Sequence, residues 1–255
     1  MGNGYSCNGT DIDKGMRKGI GSSKVKGRGI LKMIVSSALL LSMSLGVASA
    51  SSGVSKFNGF EDVAENQWYY NYIKYMVERG AVNGYGNEKF LPNNNITRVE
   101  FATMVFNSVK PKGELAKQAK AEAASNDSRN LEAELEKVNP TYWGNDMIAI
   151  SEYYGLLGVK NTLAEWSQNI TRAEMAELVV NTCEKVLGKE LRVADDIKTK
   201  IADYNTVRLI PEYEYIAKAY TAGILSGDNH GYYNPVDNAT RAEACVIVKN
   251  LMGNI

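Results

Sequence analysis

Apolar residues recur at helical spacing after each of three copies of a short motif, Thr-Arg-x-Glu, at 97–100, 171–174 and 240–243. The fourth, fifth, eighth and twelfth residues after each Thr are apolar. This spacing predicts an amphipathic helix with one buried face in every copy. Two of these positions are cysteines, so we predict core cysteines rather than a disulfide framework. The positions are Phe101, Ala102, Val105 and Val109, then Met175, Ala176, Val179 and Cys183, then Ala244, Cys245, Val248 and Met252.

The polar residues of the motif are typical of a helix N-terminus. The Thr can accept a hydrogen bond from the backbone N–H three residues later. The Glu at that third position can accept from the N–H of the Thr, which completes a capping box. The motif therefore predicts helices that begin at Arg98, Arg172 and Arg241.

A second pattern lies upstream of each motif. A glycine precedes the Thr by 16 or 17 residues, and an isoleucine precedes that glycine by seven. Glycine is common just past a helix end, where φ is often positive. Five residues before the isoleucines stand Trp68, Trp143 and Pro211, and Pro suits a first helical position. We therefore predict first helices over 67–79, 141–154 and 211–222, ending before Gly80, Gly155 and Gly223.

The first fifty residues differ from the rest of the chain. A basic stretch over 14–32 is followed by an apolar run over 33–47 and then by Ala48-Ser49-Ala50. This order predicts a secretory signal peptide, with a retained membrane anchor as the alternative. Seven of the 29 basic and two of the 29 acidic residues lie in this segment, which leaves 22 basic and 27 acidic residues. A mildly acidic exported protein is a poor candidate for binding nucleic acid.

The patterns divide the chain into an all-α series of helix-loop-helix repeats. Residues 111–140, which separate the first two repeats, are rich in Ala, Glu and Lys and carry a short helical stripe. We predict a helical insert that packs lightly on the core, with a partner-binding helix as the alternative. The predicted segments are a signal peptide 1–50, repeat 1 at 51–110, the insert 111–140, repeat 2 at 141–190 with a degenerate loop, and repeat 3 at 191–255.

The loops between paired helices carry turn residues and aromatics. Copy one has Gly84-Tyr85-Gly86 followed by Phe90-Leu91-Pro92, and copy three has a similar run over 227–235. The loop of copy two, over 159–166, lacks the second glycine and the proline and is one residue shorter. Any site that uses this loop is therefore doubtful.

The arginine of the motif is not explained by helix capping. A cation at the first helical position is unfavourable by a few tenths to about 1 kcal/mol because the helix dipole is positive there. Free N–H groups and a guanidinium can together receive an anion. The alternatives are an ion pair with a nearby carboxylate, such as Asp62 or Asp203, or inheritance by duplication.

These features together resemble the S-layer homology domain family. The resemblance rests on Phe-x-Asp-Val at 60–63, the Trp, Ile and Gly positions, Gly-Tyr, Phe-x-Pro and Ile-Thr-Arg-x-Glu, and it covers 60–110, 141–188 and 200–252. It implies a pseudo-threefold helical bundle with short extended loop segments. It also implies a secreted, non-catalytic protein of the cell wall or S-layer that binds a peptidoglycan-linked anionic polysaccharide, often pyruvylated. The resemblance further implies binding to another surface protein or self-assembly.

The resemblance also implies roles for matching residues. The three arginines would contact the acidic sugar, with those of copies one and three as the stronger candidates. The glycines would let backbone approach the glycan, the tryptophans would line the grooves or lie in the core, and the aspartates would orient the arginines. The implied polysaccharide-binding set is Arg98, Arg241, Arg172, Gly84, Tyr85, Gly227, Asp228, Trp68, Trp143, Asp62 and Asp203.

Three other functions stay open at this point. A glycosidase needs a carboxylate pair in a cleft, but the motif glutamates are explained as capping residues, and a single histidine leaves little room for His-based catalysis. A calcium site at Asp228, Asn229 and Asn234 lacks the spacing of an EF-hand. We expect no catalytic residues, metal or cofactor. An adaptor that acts through the 111–140 insert is the remaining alternative.

Overall fold

The computed structural model describes residues 59–109, 114, 117–118, 121, 141–158, 160 and 162–255. These residues belong to the unit Ala50–Ile255. The predicted signal peptide lies outside the described residues. So does most of the predicted insert, although residues 114, 117–118 and 121 within it are helical.

The described chain is helical, as predicted. Its β pairing is limited, within the described ranges, to three isolated bridges between single residues. The helices are α1 (Tyr70–Glu78), α2 (Arg98–Val109), α3 (Asn145–Tyr154), α4 (Leu163–Trp166), α5 (Arg172–Asn181, followed by a π-helical turn Thr182–Val186), α6 (Ile197–Lys200), α7 (Tyr204–Val207), α8 (Tyr213–Thr221) and α9 (Arg241–Gly253).

The predicted capping boxes start α2, α5 and α9. At α5, the Thr171 hydroxyl accepts from the Glu174 N–H at 3.2 Å, and a Glu174 carboxylate oxygen accepts from the Thr171 N–H at 3.1 Å. The same reciprocal pair joins Thr97 with Glu100 and Thr240 with Glu243. The motif therefore satisfies two backbone donors that helix geometry leaves without partners.

The first helix of each pair begins later than predicted. A β-turn precedes it, in which the Tyr70 N–H donates to the Gln67 carbonyl at 3.1 Å, and equivalent bonds precede α3 and α8. Trp68, Trp143 and Pro211 occupy the second position of these turns, where Pro is favoured. The prediction that Pro211 is the first helical residue is therefore wrong, because α8 begins at Tyr213.

The turn also decides where the tryptophans point. Trp68 is 60% exposed and Trp143 is 62% exposed. The alternative that they are core residues is therefore wrong. At the other end of these helices the prediction is confirmed, since Gly80, Gly155 and Gly223 have φ values of 68°, 57° and 69°.

A ring of backbone hydrogen bonds joins the segments that precede the three capped helices. The Ile96 N–H donates to Ala239 at 3.0 Å, the Ala239 N–H to Ile170 at 3.1 Å, and the Ile170 N–H to Ile96 at 2.9 Å. All three side chains are buried. The predicted pseudo-threefold arrangement is confirmed by this closed ring.

Helix packing follows the same cyclic order. The first helix of each pair packs on the second helix of the preceding pair, so α1 contacts α9, α3 contacts α2 and α8 contacts α5. Cys183 and Cys245 are free and buried in the resulting core, as predicted. Burial raises the pKa of Cys183 to about 11 and that of Cys245 to about 12. Of the helices in the described ranges, none has the length and apolar character needed to cross a membrane.

Candidate functional site

Each motif arginine reaches across to the motif glutamate of the next helix pair. Arg98 holds Glu174 through Nε at 3.0 Å and through NH2 at 2.9 Å. Arg172 pairs with Glu243 at 3.0 Å, and Arg241 lies 3.8 Å from Glu100. The three pairs form a second closed ring around the pseudo-threefold axis. The glutamates therefore cap their own helices and also bind an arginine from the preceding pair.

Backbone carbonyls of the neighbouring loop complete each arginine site. Arg172 donates to the carbonyls of Tyr233 and Ser226, both at 2.7 Å. Arg241 donates in the same way to Phe90 and Asn83, both at 3.0 Å. Acceptors on the next unit therefore compensate for the unfavourable position of each cation at the start of its own helix.

Asp62 and Asp203 hold the loops rather than the arginines. Asp62 accepts from the backbone N–H groups of Phe90 and Leu91 at 2.9 and 2.8 Å. Asp203 accepts in the same way from residues 233 and 234 at 2.7 and 2.9 Å. Leu91 and Asn234 have positive φ, which side chains disfavour, so these bonds stabilise a strained turn. The alternative that the aspartates form ion pairs with the arginines is therefore wrong. They instead fix the backbone of the two residues whose carbonyls receive Arg172 and Arg241, so an orienting role stays a prediction.

The loop glycines are required by the packing of the loops themselves. A Cβ on Gly84 would lie 2.5 Å from the Phe60 ring and 2.7 Å from the Lys89 carbonyl oxygen. A Cβ on Gly227 would lie 2.7 Å from the backbone of Gly231. Neither glycine has a positive φ. Close packing, against the Phe60 ring and loop backbone at Gly84 and against loop backbone at Gly227, therefore accounts for both glycines.

Tyr85 covers the arginine of the third pair. The Arg241 guanidinium lies 4.1 Å from the centre of the Tyr85 ring and 4.6 Å from that of Phe90. The Tyr85 hydroxyl accepts from Arg241 at 3.1 Å and donates to Glu100, so it bridges the two charged groups. Burial and the hydrogen bond to Glu100 raise the pKa of Tyr85 to about 12. The phenol is therefore neutral near pH 7.

The three loops differ at one equivalent place, the fifth residue after the helix-ending glycine. We call it the fifth loop position, and it holds Tyr85, Lys160 and Asp228. The Lys160 Nζ lies 3.4 Å from Glu174, so a second cation stands beside Arg98 and its partner. The Asp228 carboxylate accepts from the N–H groups of His230 and Tyr232 at 2.8 and 3.0 Å. These hydrogen bonds hold the pKa of Asp228 below its usual value.

A cavity of about 630 Å³ lies beside the third loop. It is lined by residues from all three helix pairs, including four members of the predicted binding set: Trp68, Arg172, Gly227 and Asp228. The exposed indole of Trp68 thus shares a concave surface with a guanidinium and a carboxylate. Four other members of the predicted binding set do not line this cavity, namely Gly84, Tyr85, Trp143 and Arg241.

The cyclic order changes which arginine is associated with the degenerate loop. The sequence-based ranking placed Arg98 and Arg241 first, on the assumption that each arginine faces its own loop. In the structure Arg98 faces the loop of the second pair and donates to the Glu165 carbonyl at 2.8 Å. Arg172 instead enters the third loop, which has both glycines. The shortened loop therefore contacts Arg98 and not Arg172. The ranking disfavoured Arg172 on the assumption that it faces the shortened loop, and that assumption is wrong.

The sequence alone did not identify the motif glutamates as partners of the motif arginines. A signal was present, because Arg and Glu two positions apart on a helix do not face each other. An ion-pair partner of the arginine therefore has to lie outside its own motif. The sequence alone did not identify Lys160 either, because its contact with Glu174 appears only when the fifth loop position lies beside the arginine–glutamate pair.

Comparisons with known proteins agree with the repeat pattern. The family model described as S-layer homology domain matches residues 59–102 and 203–245, which contain the first and third motifs up to Ala102 and Cys245. The endoglucanase of Bacillus sp. (strain KSM-635) is 26% identical over 230 residues, which cover 88% of this chain and 22% of that protein. The S-layer protein sap of Bacillus anthracis is 26% identical over 217 residues, covering 85% of this chain and 24% of that protein.

A shorter match is to the cellulosome-anchoring protein of Acetivibrio thermocellus. It is 31% identical over 78 residues, which cover 31% of this chain and 17% of that protein. This chain therefore spans less than a quarter of the length of each of these three relatives. The likeness concerns a module within larger proteins.

Proposed function

Because this chain belongs to the S-layer homology family, we propose that it is a non-catalytic module that anchors itself or a partner to the bacterial cell wall. Its family indicates a secreted protein of the cell surface. The ligand is an anionic secondary cell-wall polysaccharide that carries pyruvyl groups. One observation carries the proposal, namely that Trp68, Arg172, Gly227 and Asp228 converge on one cavity.

The cavity suits a sugar unit in size and in chemistry. Ligand sites are concave and commonly have volumes of about 300–1,000 Å³, with a few placed polar groups. The Trp68 ring offers a flat apolar face, and Asp228 offers an acceptor for hydroxyl groups. Arg172 uses one contact each from Nε, NH1 and NH2 in the hydrogen bonds described above. A guanidinium has five N–H donors, so these three contacts leave two N–H groups, which the proposal assigns to the ligand.

The second helix pair is, in this proposal, a diverged third copy of the same module. It lies outside the residues that the family model matches. Its support is the complete capping box at Thr171 and its place in both closed rings. Arg98, Arg172 and Arg241 then mark three related grooves, one at each boundary between pairs.

The proposal assigns no catalysis to the described residues. Relatives named as an endoglucanase and an amylopullulanase match this chain over 22% and 11% of their own lengths. The motif glutamates, which could suggest a carboxylate pair, are held by capping bonds and by arginines. An exported surface enzyme, or an adaptor that acts through the 111–140 insert, is the alternative proposal.

Binding to purified cell walls tests the proposal. The chain should sediment with walls of the producing organism and should lose binding when the secondary polysaccharide has been extracted from them. Trp68→Ala should weaken binding about 30-fold, because truncating a central aromatic anchor typically costs about 2 kcal/mol. Leu209→Ala is the control, since Leu209 is 73% exposed, does not line the cavity and lies outside the implied binding set.

Two results would contradict the proposal. Equal binding to intact and extracted walls would remove the polysaccharide as the ligand. Equal binding by Trp68→Ala and the unmodified chain would remove the cavity as the site. Because Trp68 is largely exposed, the circular dichroism and thermal transition of the Trp68→Ala variant should match those of the unmodified chain. A folding defect can therefore be separated from a binding defect.

A further inference from the structure

The three arginine–glutamate pairs are alike, but the fifth loop position beside them carries a different charge in each. Tyr85 is neutral and bridges its pair, Lys160 is a cation, and Asp228 is an anion. From this difference we infer that Asp228 excludes acidic sugar units from the Arg172 cavity, so that this cavity takes an uncharged, hydroxyl-rich unit of the polymer. The inference rests on the proposed function and assigns a substrate class to one of its sites.

The charges that line the cavity support this assignment. Four lining residues carry charge, namely Arg172, Asp228, Asp237 and Glu243. The single cation of the lining already forms a 3.0 Å ion pair with Glu243. Two carboxylates, those of Asp228 and Asp237, then remain without a lining cation to balance them. A sugar that brings another carboxylate meets net repulsion, although an arginine is present.

The hydrogen bonds of Asp228 fix it in the charged form. Its Oδ1 accepts two backbone N–H groups, and its Oδ2 lies 3.5 Å from the Asn234 amide. Hydrogen bonds to a carboxylate favour its ionised state. Since Oδ2 has the weaker contact, it is the oxygen that can accept from a sugar hydroxyl. A hydroxyl donor gains a charge-assisted bond there, whereas an acid group gains only repulsion.

The neighbouring site shows what the same scaffold does without this charge. At Arg241 the fifth loop position is Tyr85, whose ring covers the guanidinium and leaves its side chain 5% exposed. At Arg172 the aspartate leaves the arginine beside an open cavity of about 630 Å³. The presence of Asp228 where the first loop has Tyr85 therefore goes with both an open site and a negative charge. The negative charge therefore selects a neutral unit, and the open cavity gives that unit room.

The test compares two forms of one probe. Purified secondary wall polysaccharide is used as isolated and after chemical reduction of its carboxylates to alcohols, and affinities are measured by titration calorimetry on the full chain. Asp228→Asn keeps an acceptor for the turn and removes the charge. It should weaken binding of the reduced polymer, because the charge-assisted bond from a sugar hydroxyl is lost. It should lower the affinity ratio of reduced to native polymer on the order of fivefold, because one repulsive charge at short range is removed.

A matched control and distinct outcomes complete the design. Asp195→Asn makes the same charge change at an exposed residue outside the cavity and should alter neither affinity. If Asp228→Asn leaves the affinity ratio of the two polymers unchanged or raises it, the exclusion by charge is wrong. If the unmodified chain binds neither polymer, the proposed function itself fails. A thermal melt of Asp228→Asn identifies any loosening of the turn.

Discussion

Arg172 and Glu243 form a 3.0 Å ion pair that joins the second helix pair to the third. The arginine side chain is 12% exposed and the glutamate side chain 32% exposed. The glutamate also caps its own helix, and the arginine also binds two loop carbonyls. This one contact therefore couples a helix start, a loop and the boundary between two units.

Removing the arginine should destabilise the fold. Arg172→Ala should lower the free energy of unfolding by about 2 kcal/mol, because it removes hydrogen bonds to a carboxylate and leaves two carbonyls without a donor. Arg172→Lys should recover little, since an ammonium cannot reproduce the planar set of donors. Urea unfolding followed by circular dichroism measures both. A loss no larger than that of Arg192→Ala, an exposed arginine, would contradict the structural role.

The helix cap at α5 should contribute a smaller, separate amount. Thr171→Ala removes the side-chain acceptor for the Glu174 N–H, and we expect a loss of about 1 kcal/mol in the free energy of unfolding. Thr171→Ser keeps the hydroxyl and should restore most of that loss. Both variants are compared in one urea series. If Thr171→Ser lowers the free energy of unfolding as much as Thr171→Ala does, the methyl group of Thr171 and not its capping hydroxyl stabilises the fold.

The starts of α2, α5 and α9, the helix-ending glycines and the buried face follow from the sequence because their causes are local. A Thr-x-x-Glu spacing, a glycine after a helix and a 3.6-residue period each depend on a few neighbouring residues. The arginine's partner does not follow, because Arg172 and Glu243 meet only after the chain has closed around its axis. The choice between a groove and the core for Trp68 does not follow either, since a β-turn replaces the expected first helical turn and directs its ring outward.

Two glycines should respond oppositely to the same substitution. Gly227→Ala should lower the thermal midpoint, because the new Cβ would lie 2.7 Å from the Gly231 backbone. Gly253→Ala should keep or raise the midpoint, since it meets nothing within 4 Å at the end of α9, and Ala is favoured over Gly in helices by about 1 kcal/mol. Differential scanning calorimetry compares them. Equal midpoints for the two variants would show that the third loop is not tightly closed.

Alkaline pH should weaken the fold through Tyr85. The raised pKa of about 12, against the ordinary tyrosine value of 10.0, means that the folded state holds this proton more tightly than the unfolded chain does. The stabilisation is therefore fully present below pH 10 and is lost as the pH rises toward 12. In Tyr85→Phe this contribution is absent, so its free energy of unfolding should fall less between pH 9 and pH 11.

The comparison isolates Tyr85 from other groups that titrate in this range. Cys183 and Cys245 also have raised pKa values, but they are present in both proteins, so their effects cancel in the difference. Urea unfolding at the two pH values gives the free energies. Absorbance at alkaline pH should also show one fewer tyrosine that ionises near pH 12 in the variant. Parallel loss of stability in both proteins would mean that the bridge from Arg241 through Tyr85 to Glu100 does not protect the phenol.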